Sequence, residues 1–69
     1  MTVVKIVELI GNSPNSWEEA AKSAVSEAAK KVRNIKGVDV KRYTARVKNE
    51  KIVEYRAVVK IAFIVDSEI

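Results

Sequence analysis

The feature that most constrains this chain is the stretch KIVEYRAVVKIAFIVD, residues 51–66. Side chains of a β-strand point alternately to opposite faces, so the alternation in this stretch predicts one strand. At about 3.3 Å per residue the strand would be on the order of 50 Å long. From residue 55 onward the odd-numbered positions are apolar and predict a covered face: Tyr55, Ala57, Val59, Ile61, Phe63 and Val65. The even-numbered positions mix apolar and charged residues: Glu54, Arg56, Val58, Lys60, Ala62 and Ile64.

The length of this strand implies a partner outside the chain. The other 53 or so of the 69 residues offer only one helical pattern, and one helix cannot cover both faces of such a strand. A domain this small is marginal without disulfides, a metal or oligomerisation, and the chain has no cysteine and no histidine. Because uncovered apolar surface on this scale marks subunit interfaces, the sequence predicts a homo-oligomer.

The first half of the chain predicts a strand followed by a helix. Residues 3–10 are rich in β-branched side chains, and GNSPNS then marks a turn. Ser16 is a suitable N-cap, and Glu19 completes the spacing of a capping box. We expect a helix over residues 17–34. Its apolar stripe has helical spacing, with Ala24 and Ala29 at its flanks: Ala21, Val25, Ala28, Val32 and Ile35.

The second half predicts a hairpin. Gly37 ends the helix, and a second strand covers residues 38–48. Its apolar positions change from even to odd numbers, which predicts a one-residue bulge near Lys41 or Arg42. KNEK then forms the turn into the third strand. The fold class is therefore α+β, with order β-α-β-β in one domain of residues 1–69. Strand one is expected to pair with strand three in a three-stranded antiparallel sheet that carries the helix on one face.

Composition excludes several classes of function. Without cysteine or histidine the usual zinc and redox sites are absent. No Ser-Lys arrangement, no paired carboxylates and no phosphate loop is present to predict an enzyme. The net charge of +4 comes from scattered residues without an RNA-binding motif. The basic residues between 30 and 36 suit the last turns of the helix. The first ten residues lack the features of a signal peptide, and no apolar run reaches membrane-spanning length, so a cytoplasmic protein is expected.

Two segments resemble the dodecins, small β-α-β-β proteins that assemble as hollow dodecamers. They are KIVELIGNSPNSWEEAAKSAVSEA near the start and EYRAVVKIAFIVD near the end. The resemblance covers nearly the whole chain, and the VELIGNSPNSWEEA portion is its most specific part. It implies a non-enzymatic, homo-oligomeric protein that binds a small molecule, which in the best-known members is a flavin.

Three positions carry the flavin site in the members that bind flavin, and all three differ here. The tryptophan that stacks on the isoalloxazine ring corresponds to Gly37, and the glutamine that bonds the pyrimidine edge corresponds to Arg56. An arginine of the second strand corresponds to Thr44. Glycine has no aromatic face, and arginine donates hydrogen bonds but accepts none. The resemblance therefore implies an altered flavin site, with flavin binding in a modified mode as one alternative.

A second branch of the family supplies another alternative. Its members lack the flavin tryptophan, share the Ser-Pro-x-Ser-Trp-Glu segment and the Tyr-Arg pair, and are linked to calcium. Calcium takes six to eight oxygen ligands, and the acids that could supply them are Glu8, Glu18, Glu19 and Asp66. A purely structural assembly is the remaining alternative.

Four side chains have expected roles outside the flavin positions. Trp17 is interpreted as a packing residue, because tryptophan is common in interface cores. Arg46 and Lys60 share even-numbered positions with Arg56, and all three are predicted to form ion pairs between subunits or to contact an anion. Tyr55 is predicted to belong to the core.

Overall fold

A computed structural model describes residues 2–66 as one sheet carrying one helix. The elements are β1 (Thr2–Ser13), α1 (Trp17–Ala29), β2 (Ile35–Lys48) and β3 (Lys51–Asp66). Strand β3 lies in the centre of the antiparallel sheet, between β1 and β2. The predicted β-α-β-β order and the pairing of the first strand with the third are confirmed. The body is elongated, at 56 × 19 × 13 Å, because its central strand is long.

The helix covers only the middle of one sheet face. Directly paired residues such as Leu9 and Val59 share this face, and the core lies between them and three alanines of α1. The buried core residues are Ala20, Ala24, Ala28, Ala57, Val59 and Ile61. At 1.5 Å per residue the 13-residue helix is about 20 Å long, well short of the strand beneath it.

Gly11 lets the helix approach the sheet closely. It is buried on the helix side of β1, and a Cβ added there would lie 1.9 Å from the carbonyl oxygen of Ala20. The same atom would meet the Cβ of Ala24 at 3.0 Å. The small residues Gly11 of β1 and Ala20 and Ala24 of α1 therefore allow the helix to pack close to the sheet.

The predicted ends of β1 and α1 were wrong. Strand β1 continues to Ser13 through residues assigned to a turn, and it pairs with β3 along its whole length. The helix ends at Ala29 rather than at Asn34. The basic residues after Ala29 therefore lie outside the helix, and its last turn carries none. Within the helix, Ala20 is fully buried although the predicted stripe omitted it, whereas Ala29 is exposed.

The chain reverses at Asn34 rather than at Gly37. Asn34 has φ of 63°, in the left-handed region that asparagine tolerates better than most residues. Gly37 instead lies within β2, which begins at Ile35. Val32 and Ile35 pack against the core as their spacing suggested, but from the connection and the strand rather than from the helix.

Strand β2 contains the predicted bulge, at which its side chains change face, and two further register shifts. The register against β3 changes between Val40 and Arg42, which confirms the bulge expected at Lys41 or Arg42. Two further shifts, between Ile35 and Gly37 and between Arg46 and Val47, were not predicted. The hairpin turn has positive φ at both central residues, Asn49 (53°) and Glu50 (64°), as a type I′ turn requires.

The capping box is only half formed. The Ser16 hydroxyl accepts the amide of Glu19 at 3.0 Å, as predicted. The Glu19 carboxylate, however, accepts from the side chains of Asn15 (3.0 Å) and Ser13 (3.1 Å) rather than from the Ser16 amide. These hydrogen bonds, with the Asn15 contribution largest, hold the pKa of Glu19 below its ordinary value of 4.5.

Candidate functional site

The candidate site lies on the sheet face opposite the helix, here called the open face. Register assigns its members, because directly opposed residues of antiparallel strands point to the same side. It comprises Val4, Ile6, Glu8, Ile10 and Asn12 of β1, Glu54, Arg56, Val58, Lys60, Ala62 and Ile64 of β3, and Gly37, Asp39, Arg42, Thr44 and Arg46 of β2. The sequence predicted a mixture of apolar and charged residues on this face of β3. The same mixture is present on the neighbouring strands β1 and β2.

The open face divides into an apolar half and a polar half. In the apolar half, Val4 pairs with Ile64 and Ile6 with Ala62. Val4 and Ile6 are 59% and 61% exposed, so this half is largely uncovered in the single chain. Ile10, which is 61% exposed, marks the boundary between the halves.

In the polar half, charged and hydrogen-bonding side chains lie in adjacent rows. Arg56 lies between Asn12 and Thr44 in one row, and Glu54 lies opposite Arg46 in the next. The Arg56 guanidinium donates to Glu54 Oε1 from Nε at 3.1 Å and from Nη2 at 3.0 Å. Arg46 Nε lies 4.0 Å from the same oxygen. The Glu54 carboxylate therefore forms ion pairs with the guanidinium groups of both Arg56 and Arg46.

Between the halves, a second ion pair and a buried valine occupy the open face. Lys41 Nζ lies 3.6 Å from Glu8 Oε2, with both side chains more than two-fifths exposed. Val58 is only 6% exposed although no helix lies on this side. Its neighbours in the register are Ile10 and Arg42, so the long side chains around it provide its cover.

The three positions that correspond to a flavin site do not converge in one chain. Thr44 and Arg56 are direct cross-strand partners. Gly37 pairs instead with Ala62, six residues along β3 from Arg56, which is about 20 Å at the rise of a strand. A ligand in contact with Thr44 and Arg56 would have to extend about 20 Å along the sheet to reach Gly37 of the same chain. A Cβ at Gly37 would meet no atom within 4 Å, so this position has room for a larger side chain.

Trp17 lies on the helix side of the sheet, away from the open face. Its indole meets the ring of Tyr55 edge-on at 4.8 Å and that of Tyr43 at 6.1 Å. The indole Nε1 donates to the carbonyl oxygen of Thr44 at 2.7 Å. Trp17 thus joins the start of α1 to β2 within the chain while remaining 37% exposed. Sequence reasoning missed this contact, because its partner is a backbone atom 27 residues away. A role of Trp17 between subunits stays a prediction.

The acids considered for calcium are dispersed. Within residues 2–66, no three acidic side chains lie close enough together to hold a metal ion. Glu8 pairs with Lys41, Glu18 lies 3.9 Å from Lys22, and Glu19 bonds to Ser13 and Asn15. The side chain of Asp66 lies outside the described residues.

Two clefts among the described residues are small. One of about 190 Å³ lies between β1 and α1, and another of about 150 Å³ near the end of α1 is lined by Val7, Leu9, Ala28, Lys31 and Val32. Pockets for small molecules usually measure about 300–1,000 Å³. Neither of these two clefts has room for a ligand of flavin size. The helix of the described region falls short of the length and apolar character that crossing a membrane requires.

Comparison with known proteins gives consistent relationships. The family model described as Dodecin matches residues 3–66. The calcium dodecin of Mycobacterium tuberculosis is 35% identical over 63 residues, covering 91% of this chain and 89% of that protein.

Two solved structures have the same fold. An arginine-to-alanine variant of the Thermus thermophilus dodecin is 28% identical and superposes with a TM-score of 0.91, covering 97% of this chain and 100% of that one. The dodecin of Streptomyces coelicolor, at 18% identity, superposes with a TM-score of 0.92 over 97% of this chain and 96% of that one. At that identity the match with the Streptomyces coelicolor protein concerns the fold alone.

Proposed function

Because this chain belongs to the dodecin family, we propose that it assembles as a hollow homododecamer in the cytoplasm and sequesters a small ligand or ion without catalysing a reaction. The apolar half of the open face is the observation that carries this proposal. A dispersed set of exposed apolar side chains is normal on a monomer, but this set is contiguous on one face of the sheet.

The apolar half supplies a driving force for assembly. Val4 and Ile6 of this half, and Ile10 at its boundary, are each about three-fifths exposed in the single chain. Full burial of one such side chain is worth about 1.5–3 kcal/mol, so burying the exposed parts of all three gives roughly 3–5 kcal/mol per chain. For a domain that is marginal alone, this contribution is a large share of its stability.

Solution mass tests the assembly. We expect native mass spectrometry at micromolar concentration to give about twelve times the 7.7 kDa of one chain. Ile6→Glu places a charge in the apolar half and should lower this mass. Ser26→Glu places the same charge on an exposed position of α1 and should leave it unchanged. A monomeric or dimeric wild-type protein would contradict the proposal.

Flavin is a candidate ligand in a modified mode. The side chain that stacks on the flavin ring in flavin-binding dodecins is absent at Gly37, and aromatic pairs are worth about 0.5–1.5 kcal/mol beyond area burial. We expect wild-type protein to quench flavin fluorescence weakly or not at all. The double change Gly37→Trp and Arg56→Gln should strengthen quenching, since it restores both side-chain types and a Cβ at Gly37 meets no atom of the chain within 4 Å. If the double variant quenches no more than the wild type, Gly37 and Arg56 do not correspond to the tryptophan and glutamine of the flavin site.

Calcium is favoured by the Mycobacterium tuberculosis relative, whose name includes that ion. In this chain the acids are dispersed, so a calcium site would draw ligands from several subunits. Calcium at millimolar concentration should then raise the melting temperature of the assembled protein more than magnesium does. Equal effects of the two ions would argue against a calcium site.

A further inference from the structure

We propose that Arg42, Arg46 and Arg56, arranged around Thr44 on the open face, bind the phosphate group of a small ligand. These three arginines are called the arginine cluster below. The proposal rests on the proposed function, because it names the class of ligand that the assembly would sequester. It does not depend on a flavin ring, since the ring-stacking side chain is absent at Gly37.

The register brings the three arginines within reach of one another. Arg42 lies opposite Val58 and Arg46 opposite Glu54, and these two β3 residues flank Arg56 on the same face. Arg42 and Arg46 are therefore both diagonal neighbours of Arg56, at about 7–8 Å between backbones. Arginine side chains span such distances readily. Thr44 is the direct partner of Arg56 and lies between the other two arginines along β2.

The arginine cluster carries excess positive charge. Glu54 balances one of its three charges through contacts to Arg56 and Arg46. Within residues 2–66, no ion pair includes Arg42. The net charge of Glu54 with the cluster is therefore +2. A phosphate monoester carries about −1.5 to −2 near pH 7 and matches this charge.

The available donors also suit phosphate. Each guanidinium offers a planar fork of N–H groups that matches phosphate oxygens in pairs, which a lysine ammonium cannot do. The side chains of Arg46 and Arg56 are 61% and 44% exposed, so a ligand could reach them. Thr44 and Asn12 flank Arg56 on the same face and add a hydroxyl and an amide that can donate hydrogen bonds.

The backbone beneath the arginine cluster is held in place from the other side of the sheet. Trp17 donates to the carbonyl oxygen of Thr44, the residue at the centre of the cluster. The cluster also lies in the polar half of the open face, apart from the side chains expected to be buried on assembly. Phosphate binding and assembly can therefore be tested separately.

Isothermal titration calorimetry with inorganic phosphate at constant ionic strength tests the proposal. We expect saturable binding to the wild-type assembly that an equivalent amount of chloride does not reproduce. The double change Arg42→Gln and Arg46→Gln should weaken binding at least tenfold. The control, Lys22→Gln and Arg33→Gln, removes the same charge from exposed positions outside the open face and should leave the affinity within twofold.

The outcomes separate this proposal from the proposed function, because the mass of each variant is measured alongside. Wild-type protein that forms a dodecamer without saturable phosphate binding overturns the arginine cluster alone. If the test and control variants lose phosphate affinity equally, the binding reflects the overall charge of the protein. That result also overturns the arginine cluster. If the double variant fails to assemble, the single change Arg42→Gln replaces it. That change should weaken phosphate binding several-fold, and an unchanged affinity contradicts the proposal.

Discussion

Replacing Gly11 with alanine should separate α1 from the sheet. The new Cβ would lie 1.9 Å from the Ala20 carbonyl oxygen, whereas the ordinary van der Waals contact of a Cβ begins at 3.4 Å. The obstacle is helix backbone, so no side-chain rotation can relieve it. We expect the helix to retreat by about 1.5 Å at this point, the difference between the two distances.

The magnitude follows from what this retreat disrupts. The residues that α1 buries are Ala20, Ala24 and Ala28, whose short side chains cannot extend to fill a gap. A gap of 0.5–1 Å already forfeits about a quarter to a half of a dispersion contact. Overpacking of a core costs about 1–3 kcal/mol, and alanine recovers about 0.4–1 kcal/mol by restricting the unfolded chain. The net expected loss is about 1–2 kcal/mol.

Gly37→Ala provides the matched control. Both substitutions add one methyl group to a glycine within a strand, but the Cβ at Gly37 would meet nothing within 4 Å. The control should be neutral or stabilised by a few tenths of a kcal/mol. Urea unfolding followed by circular dichroism measures both at one fixed protein concentration, because assembly makes stability depend on concentration. Equal midpoints for the two variants, or a more stable Gly11→Ala protein, would refute close helix–sheet contact at Gly11.

Two further substitutions test the contacts at the start of the helix. Trp17→Phe removes the indole donor to the Thr44 carbonyl but keeps an aromatic ring, and should cost about 0.5–1.5 kcal/mol in urea unfolding; an unchanged midpoint would contradict the contact. The lowered pKa of Glu19 means that its carboxylate stabilises the fold above pH 4.5 and loses this effect as pH falls through the lower folded value. Glu19→Gln should therefore be less stable than wild type at pH 7, and the difference should shrink below pH 4.5. If the stability difference between Glu19→Gln and wild type does not change with pH, the substitution acts through packing and not through the charge of Glu19.

The fold was predictable from the sequence because its longest element shows one clear period. The alternation in β3 identified the two faces of the sheet, and the change of parity in β2 identified the bulge before Arg42. The helix end was not predictable in the same way. Val32 and Ile35 continue the apolar spacing of α1 and do contact the core, but the chain leaves the helix at Ala29. The apolar spacing predicts which residues are buried. It does not predict whether the backbone of those residues is helical.

The candidate site was less predictable, because it depends on contacts between distant segments. The charges of Arg46, Glu54 and Arg56 are visible in the sequence, but their shared carboxylate follows from the register of β2 against β3. The partner of Trp17 is a carbonyl oxygen, which has no residue-type signature. Glu19 was expected to bond the Ser16 amide, but Ser13 becomes available because β1 extends further than the turn residues suggest.

The bulge in β2 links the fold to the candidate site. Before it, Val40 points to the helix side; after it, Arg42, Thr44 and Arg46 point to the open face. A shift of one residue exchanges the two faces of a strand, so without the extra residue the arginines would point beneath the helix. Tyr43 would then leave the ring of Trp17 for the open face. The bulge before Arg42 thus sets both the charge of the open face and the aromatic packing that holds α1 against β2.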